Sequence, residues 1–144
     1  MNRPRVFIGG IMQGSNRAMA ICDQGYRKRI AEVVCGHHPQ VEVIDPFQIY
    51  PDSVTFDRER AVQTFLSLLD VAAQTDLLIA YLPDASLGTA MEIWRAYQAG
   101  RPVIAISPMT QNWALWATTR HIFPDLETFE RFVADGGLRP YLQD

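Results

Sequence analysis

The sequence predicts one α/β domain with a doubly wound, flavodoxin- or Rossmann-like architecture, a three-layer sandwich built on a parallel sheet of about five strands. Segments of strand length alternate with segments of helical periodicity along the chain. The strand segments 77–82 and 103–107 are almost entirely apolar, which is typical of strands that helices cover on both faces. The length of 144 residues fits one domain, which we assign to residues 1–144 with a tail from about residue 136.

The composition excludes several classes of function. A net charge of -3 at pH 7 argues against a general nucleic-acid surface, which needs a basic patch. No apolar run reaches the ~20 residues that a membrane span needs, and the N-terminus has no signal-peptide pattern. We therefore predict a cytoplasmic protein without a membrane or nucleic-acid partner, in which Cys22 and Cys35 are reduced. These cysteines, His37 and His38 match no common zinc spacing, so no metal and no cofactor are predicted.

In the first half of the chain, each of two strands precedes a helix. An apolar strand at 5–9 leads into a Gly-rich turn, and a helix is predicted from residue 15 or 16 to Val34. Gly25 would weaken the middle of that helix by about 1 kcal/mol relative to alanine. The remaining elements of this half are a strand at 41–44, a long loop at 45–56 and a helix that starts at Asp57.

In the second half, a strand at 77–82 is followed by a polar turn and a helix at 86–99. Pro83 ends the strand because proline has no N–H for a sheet ladder. Ser86 can act as the helix N-cap, and Gly100 is a natural C-cap. The remaining elements are a strand at 103–107, a loop at 108–120 with a helical portion carrying Trp113 and Trp116, a short strand at 121–123 and a terminal helix around 126–133.

In folds of this class, ligands bind in the crevice at the carboxyl ends of the strands. Three segments are predicted there, at 9–15, 83–88 and 107–112. The Gly-rich segment lets the backbone approach a ligand, and a following helix N-terminus favours an anion. It is neither a Walker loop nor a GxGxxG motif, so a tight strand-to-helix turn explains it equally well. Arg17 is either a phosphate contact or a solvated arginine.

Glu92 is the candidate reactive group on the helix at 86–99. A narrow face of small residues around its carboxylate leaves room for a ligand, whereas an exposed ion pair with Arg95 is the structural alternative. Asp84 is either a ligand contact or a turn residue. Small or polar residues on the Glu92 face are Gly88, Thr89, Arg95 and Ala96, and the opposite side carries Leu87, Met91, Trp94 and Gln98. His37, His38 and Asp70 are expected to be solvated.

Three features together resemble the nucleoside 2-deoxyribosyltransferase family. They are the Gly-rich turn after the first strand, Thr75-Asp76 before an apolar strand, and the pattern Ser86-x-Gly88-x-x-x-Glu92. The run Tyr-Leu-Pro-Asp-Ala-Ser-Leu-Gly-Thr-Ala-Met-Glu-Ile-Trp is especially similar to the branch of nucleoside 5′-monophosphate N-glycosidases. The resemblance covers roughly residues 5–133.

The resemblance implies a role for each matching residue. Glu92 falls on the nucleophile of the family. Ser86 stands where the transferases carry an aspartate that holds the sugar 5′-hydroxyl, and a serine at a helix start suits a phosphate better. Asn112 falls on a position that the neighbouring subunit supplies, which implies a homodimer. The substrate-binding residues implied are Phe7, Gly9, Gly10, Ser15, Arg17, Asp84, Ser86, Gly88 and Asn112.

Two positions depart from the pattern of the family. Phe7 stands where many members have a tyrosine whose hydroxyl contacts the nucleophile, so the sequence permits a ribonucleotide as well as a deoxyribonucleotide. Leu68 stands where many members have an aspartate assigned to base recognition or leaving-group protonation. Asp84 is the candidate that remains for contacting the base or a water.

The function predicted from these residues is cleavage of the N-glycosidic bond of a nucleoside 5′-monophosphate, with release of free base by a retaining mechanism. The substrate is thus a small-molecule nucleotide or nucleoside. One alternative is base exchange between deoxynucleosides, as in the transferases. An alternative of another class is a nucleotide-binding module without catalysis, and cleavage of a dinucleotide ranks below both.

Overall fold

The computed structural model of the protein describes residues 2–10, 12 and 23–143 and contains a five-stranded sheet in the order β2-β1-β3-β4-β5. All four strand pairs are parallel. The predicted α/β class and parallel sheet are therefore confirmed. The strands are β1 (Arg5–Gly10), β2 (Glu42–Ile44), β3 (Leu77–Tyr81), β4 (Val103–Ile106) and β5 (His121–Phe123).

Helices cover both faces of this sheet. The helices α1 and α6 pack together on one face, and α3 and α4 pack together on the other. Two short 3₁₀ turns at 53–55 and 139–141 complete the described elements. The helices are α1 (Gly25–His37), α2 (Pro46–Ile49), α3 (Arg58–Gln74), α4 (Leu87–Gln98), α5 (Trp113–Thr118) and α6 (Leu126–Ala134). In the described part of the chain, none of them is long and apolar enough to cross a membrane.

The alternation of side chains along β1 divides the core into two clusters. Val6 and Ile8 pack on the α1/α6 face, and Phe7 packs on the α3/α4 face. Side chains along a strand point alternately to opposite faces. The next two residues, Gly9 and Gly10, therefore face α4 and α1 respectively, and their lack of side chains leaves space on both faces.

Polar side chains cap the N-termini of five described helices: Asp45 caps α2, Ser86 caps α4 as predicted, and three more caps are seen. The side chains of Asp57, Ser86, Asn112 and Asp125 each accept a hydrogen bond from a backbone N–H in the first turn. After α4, Gly100 has a φ of +74°, the left-handed conformation that favours glycine at a helix end.

The predicted start of α1 and the predicted loop at 45–56 are both corrected. Asp23 and Gln24 are not helical, so α1 begins at Gly25 rather than at residue 15 or 16. The N–H of Gly25 donates to Asp23 Oδ1 at 2.9 Å, so Gly25 lies at the start of α1 and not in its middle. The loop contains α2 because Asp45 accepts a bond from the N–H of Phe47 and Pro46 sets the first helical φ.

Two regions expected to be solvated are buried. Leu138 and Leu142 pack into the core cluster under α1 and α6, so the segment after residue 136 is part of the domain and not a tail. His38 is only 7% exposed. The N–H of Val41 donates to its carbonyl, and this turn folds His38 and Val41 inward together.

Candidate active site

The carboxyl ends of β1 and β3 form the point where the strand order of the sheet reverses. From β1 the chain proceeds to β2 on one side, and then crosses to β3 on the other. Crevices at such switch points are the usual ligand sites of doubly wound sheets. Gly9 and Gly10 lie at this point beside Ala80 and Tyr81 of β3.

Glu92 approaches this crevice from α4. A Cβ atom added to Gly9 would lie 3.0 Å from Glu92 Oε2, so the carboxylate rests against the backbone of β1. The oxygen Oε2 is buried and has no hydrogen-bond partner among the residues that the structure describes. The alternative of an exposed pair between Glu92 and Arg95 is wrong, because Arg95 bonds to Asp70 at 3.1 Å instead.

The environment of Glu92 disfavours its charged form. Part of the residue is exposed, but its carboxylate lies in the interior. Burial raises the pKa of Glu92 to about 8, and the positive charge of Arg27 opposes that rise. Buried polar atoms are normally hydrogen-bonded, so an unpaired carboxylate with a raised pKa at a switch point marks a candidate reactive group.

Thr89 lies between the start of α4 and the backbone of β1. Its hydroxyl donates to Ser86 Oγ at 3.0 Å, and its N–H donates to the same atom at 3.3 Å. Its methyl carbon lies 3.8 Å from the Cβ position of Gly9. Sequence reasoning did not assign Thr89 a role, although its place three residues after the N-cap was a usable signal.

The other face of β1 is filled by aromatic and charged side chains. A Cβ atom on Gly10 would lie 2.2 Å from the hydroxyl oxygen of Tyr26, so α1 packs directly onto this glycine. The rings of Tyr26 and Tyr81 stack with centroids 4.3 Å apart. Burial raises the pKa of Tyr26 well above its ordinary value, which keeps the phenol protonated.

Arg27 and Asp45 form a buried ion pair behind the end of β1. Their Nη1 and Oδ1 atoms are 3.1 Å apart, and the Arg27 side chain is 3% exposed. Arg27 also donates to the carbonyls of Ile8 and Gly10 at 3.0 and 3.2 Å and to Gln24 Oε1 at 2.7 Å. No local sequence pattern indicates this pair, because Arg27 lies in a helix and Asp45 in a turn 18 residues later.

The remaining predicted residues are distributed around the crevice. Phe7 is fully buried and its ring lies 3.8 Å from the Cβ position of Gly9. Asp84 is exposed and its Oδ1 accepts from the N–H of Ala85 at 2.8 Å, which is the geometry of a turn residue. The Cβ position of Gly88 is 3.4 Å from the ring of Phe65. Ser15 and Arg17 lie outside the described residues.

Asn112 is brought together with Ser86. Both line an apolar groove of about 490 Å³ between α4 and α5, which Glu92 does not line. The side chain of Asn112 caps α5, since its Oδ1 accepts from the N–H of Leu115 at 3.2 Å. Within residues 2–10, 12 and 23–143, no group of three or more His, Cys, Asp or Glu side chains is arranged to hold a metal ion.

No protein-family model matches the sequence, and no curated protein matches it. Solved structures do match. A 2-deoxyribosyltransferase from Bacillus psychrosaccharolyticus is 18% identical with a TM-score of 0.66, over 88% of this chain and 90% of its own. The CMP N-glycosidase of Clostridium botulinum is 19% identical with a TM-score of 0.53, over 90% and 98%. A putative pilus assembly-related protein of Burkholderia pseudomallei is 12% identical with a TM-score of 0.58, over 97% and 90%. At these identities the matches establish a shared fold.

Proposed function

We propose that this protein cleaves the N-glycosidic bond of a nucleoside 5′-monophosphate and releases the free base, with Glu92 as the nucleophile. The observation that carries the proposal is the buried Oε2 atom of Glu92, which has no hydrogen-bond partner among the described residues and lies against Gly9 at the switch point of the sheet. The names of two fold neighbours, a 2-deoxyribosyltransferase and a CMP N-glycosidase, add support from chemistry at the same kind of bond.

The reaction proceeds in two steps. A carboxylate oxygen of Glu92 attacks C1′ of the sugar, and the glycosidic C–N bond breaks as its electron pair leaves with the base. Water then attacks C1′ and the bond from C1′ to the Glu92 oxygen breaks, which releases the sugar phosphate and restores the carboxylate, while the proton that the water loses passes to the departed base. Two inversions retain the configuration at C1′, as in retaining glycosidases. Asp84, exposed in the crevice loop, is our candidate for contacting the base or the water.

The raised pKa of Glu92 is compatible with this role. With a pKa near 8, about one tenth of the carboxyl is ionised at pH 7, and that fraction is the nucleophile. Among the described residues, Oε2 accepts no hydrogen bond that would have to break before this oxygen attacks.

The start of α4 supplies a site for the 5′-phosphate. Ser86 Oγ accepts bonds from Thr89, and its own hydroxyl hydrogen remains available to donate. Free N–H groups in the first turn and the helix dipole also favour an anion there. We assign the phosphate to this helix end, with Gly10 and Ser15 completing the cradle and Arg17 assisting.

We also propose that the protein works as a homodimer in which the Asn112 region reaches the neighbouring site. The apolar groove between α4 and α5 is bordered by large exposed side chains, with Leu87 87% and Trp113 82% exposed. Such patches usually mark interaction surfaces. Sedimentation of the wild type and of Trp113→Glu tests this, because a charge in the interface should yield a monomer. A wild-type monomer at working concentration contradicts the dimer.

The central experiment is a screen of the common ribo- and deoxyribonucleoside monophosphates for released base. We expect release from at least one of them, and loss of that release in Glu92→Gln. A deoxynucleoside supplied with a second free base tests the transferase alternative, which the deoxyribosyltransferase neighbour favours. Nucleotide binding by calorimetry without base release on long incubation would contradict catalysis and favour a binding module.

A further inference from the structure

Arg27 compensates for a difference in length between two neighbouring strands. On one side β1 pairs with β3 as far as Gly10, but on the other side its pairing with β2 ends at Phe7 opposite Ile44. The carbonyl of Pro4 accepts from the N–H of Glu42, and that of Arg5 accepts from Asp76, so carbonyls of even-numbered residues face β2. The carbonyls of Ile8 and Gly10 therefore point to the side that β2 does not reach.

Those two carbonyls are the ones that Arg27 binds. Its Nη1 and Nη2 atoms donate to Ile8 and Gly10, at 3.0 and 3.2 Å. Asp45, the residue directly after β2, balances the charge at 3.1 Å. One guanidinium thus replaces the missing sheet ladder across the last three residues of β1, where a rigid fork of donors suits two carbonyls and a carboxylate.

Gly9 lies between the two carbonyls that Arg27 fixes. Its backbone is the surface against which Glu92 Oε2 rests, with 3.0 Å to the Cβ position. The guanidinium of Arg27 therefore influences the position of Glu92 through its two hydrogen bonds to β1, the strand against which the carboxylate lies. Arg27 is also the charged group whose field opposes the rise in the Glu92 pKa. The other titratable groups at this strand end are Tyr26, Tyr81 and Asp45, of which both tyrosines lie on the α1 face.

We propose that Arg27 is a positioning residue for Glu92: its bonds to two carbonyls hold the end of β1 in place beneath the carboxylate, and its charge acts on that carboxylate from the opposite face of the sheet. The catalytic consequence depends on the proposed glycosidase activity, whereas the effect on Glu92 itself does not.

The test is a titration of Glu92 by ¹³C NMR of protein labelled at the glutamate side-chain carboxyl, with the resonance assigned from its loss in Glu92→Gln. Arg27→Met is expected to raise the pKa of Glu92 by about one unit or more, and Arg27→Lys, which keeps the charge, by less than half of that change. Arg101→Met is the matched control, because Arg101 donates to the carbonyl of Ala73, which belongs to α3 and not to β1. An unchanged pKa in folded Arg27→Met, or an equal change in Arg101→Met, overturns the proposal.

A second variant keeps the test decisive if Arg27→Met does not fold. Asp45→Asn removes the counter-charge and keeps the cation, so the pKa of Glu92 should stay constant or fall. A rise in Asp45→Asn overturns the proposal.

Base release provides the second readout. In Arg27→Met, kcat at pH 7 should fall about tenfold for each unit by which the Glu92 pKa rises, and higher pH should restore it, with a smaller change in KM. A loss that is equal at every pH indicates a merely structural role and overturns the proposal. If the wild type releases no base from any nucleotide, the proposed function fails, while the titration still decides the role of Arg27.

Discussion

The two faces of the sheet each bury an ionisable side chain at the end of β1. On the α1 face, the guanidinium of Arg27 meets four oxygen acceptors, from Ile8, Gly10, Gln24 and Asp45. On the α4 face, Glu92 Oε2 meets none among the residues that the structure describes. Gly9 and Gly10 lie between the two groups. The Cβ position of Gly9 is next to Glu92, and that of Gly10 is next to Tyr26, the residue before Arg27.

The difference separates a structural charge from one that is available for chemistry. A buried charge is tolerated when partners replace its lost hydration, as around Arg27. A buried carboxyl without partners costs stability, and a fold keeps such a group where a ligand completes it. Position matters as well as hydrogen bonding. In the part of the chain that the structure describes, His38 Nε2 is also buried and has no partner, yet His38 follows α1 at the opposite end of the sheet from the crevice.

The largest expected effect comes from removing the unpaired charge. Glu92→Gln should lower base release by at least about 10³-fold, as the loss of a nucleophile does in other enzymes. It should also raise the free energy of unfolding at pH 9, by up to a few kcal/mol, because no carboxylate then has to ionise in the interior. Kinetics and urea unfolding at pH 5 and 9 check both effects. Glu32→Gln, at an exposed ion pair on α1, is the control and should change neither. Normal activity in Glu92→Gln contradicts the mechanism.

The two glycines should respond differently to a methyl group. In Gly10→Ala the new Cβ meets the Tyr26 ring at 2.2 to 2.7 Å, so we expect a loss of about 1–3 kcal/mol in unfolding free energy. In Gly9→Ala it meets only a flexible carboxylate at 3.0 Å, so stability should change less, while activity falls because Glu92 is displaced.

Gly36→Ala is the control for both glycine variants. Nothing lies within 4 Å of its Cβ position inside α1, so stability should rise by about 0.5–1 kcal/mol. Denaturation and kinetics of the three variants compare the two faces directly. Equal losses of activity and stability in Gly9→Ala and Gly10→Ala would mean that the faces do not have separate roles.

The pH dependence of activity tests the state of Glu92. Because its pKa is about 8, kcat/KM should rise between pH 7 and 8, bend near pH 8 and level off above about pH 9. The substrate phosphate is already almost fully ionised over that range. The sign for stability is opposite. The folded pKa exceeds the unfolded value of 4.5, so this contribution to stability is present at low pH and is lost as the pH rises through 8. A flat activity profile between pH 7 and 9 would exclude Glu92 as a carboxylate nucleophile with this pKa.

The smallest expected effect concerns the buried histidine outside the crevice. Burial lowers the pKa of His38, so its stabilising contribution is present above the unfolded pKa of about 6.5 and is lost as the pH falls below it. His38→Gln should therefore weaken the acid dependence of stability by on the order of 1 kcal/mol or less without changing base release. The exposed His37→Gln is the control. A loss of activity in His38→Gln would contradict the distinction between Glu92, which lies in the crevice, and His38, which lies outside it.

Much of the fold was predictable because local patterns and tertiary packing agree. The uninterrupted apolar runs form β3 and β4. The helix α4 starts directly after Ser86 and ends just before Gly100. The errors occurred where local signals were weak. The pair Asp45-Pro46 looked like the end of a strand but starts α2, and the tail after residue 136 is held by two buried leucines that a short polar segment concealed.

Periodicity and helix caps are local properties of the chain, so the sequence was sufficient to predict the sheet and its helical layers, and its resemblance to a family identified Glu92 as the candidate carboxylate. It also identified Ser86 and Gly9 as neighbours of a possible ligand. The tertiary structure supplies what the sequence could not: Glu92 Oε2 has no hydrogen-bond partner among the described residues, Thr89 lies beside Gly9, and Arg27 and Asp45 support β1 from behind. These relations join residues that are distant in sequence and lie on both faces of the sheet. Whether a side chain there is buried or hydrogen-bonded depends on the relative lengths of β1 and β2, which the sequence does not show.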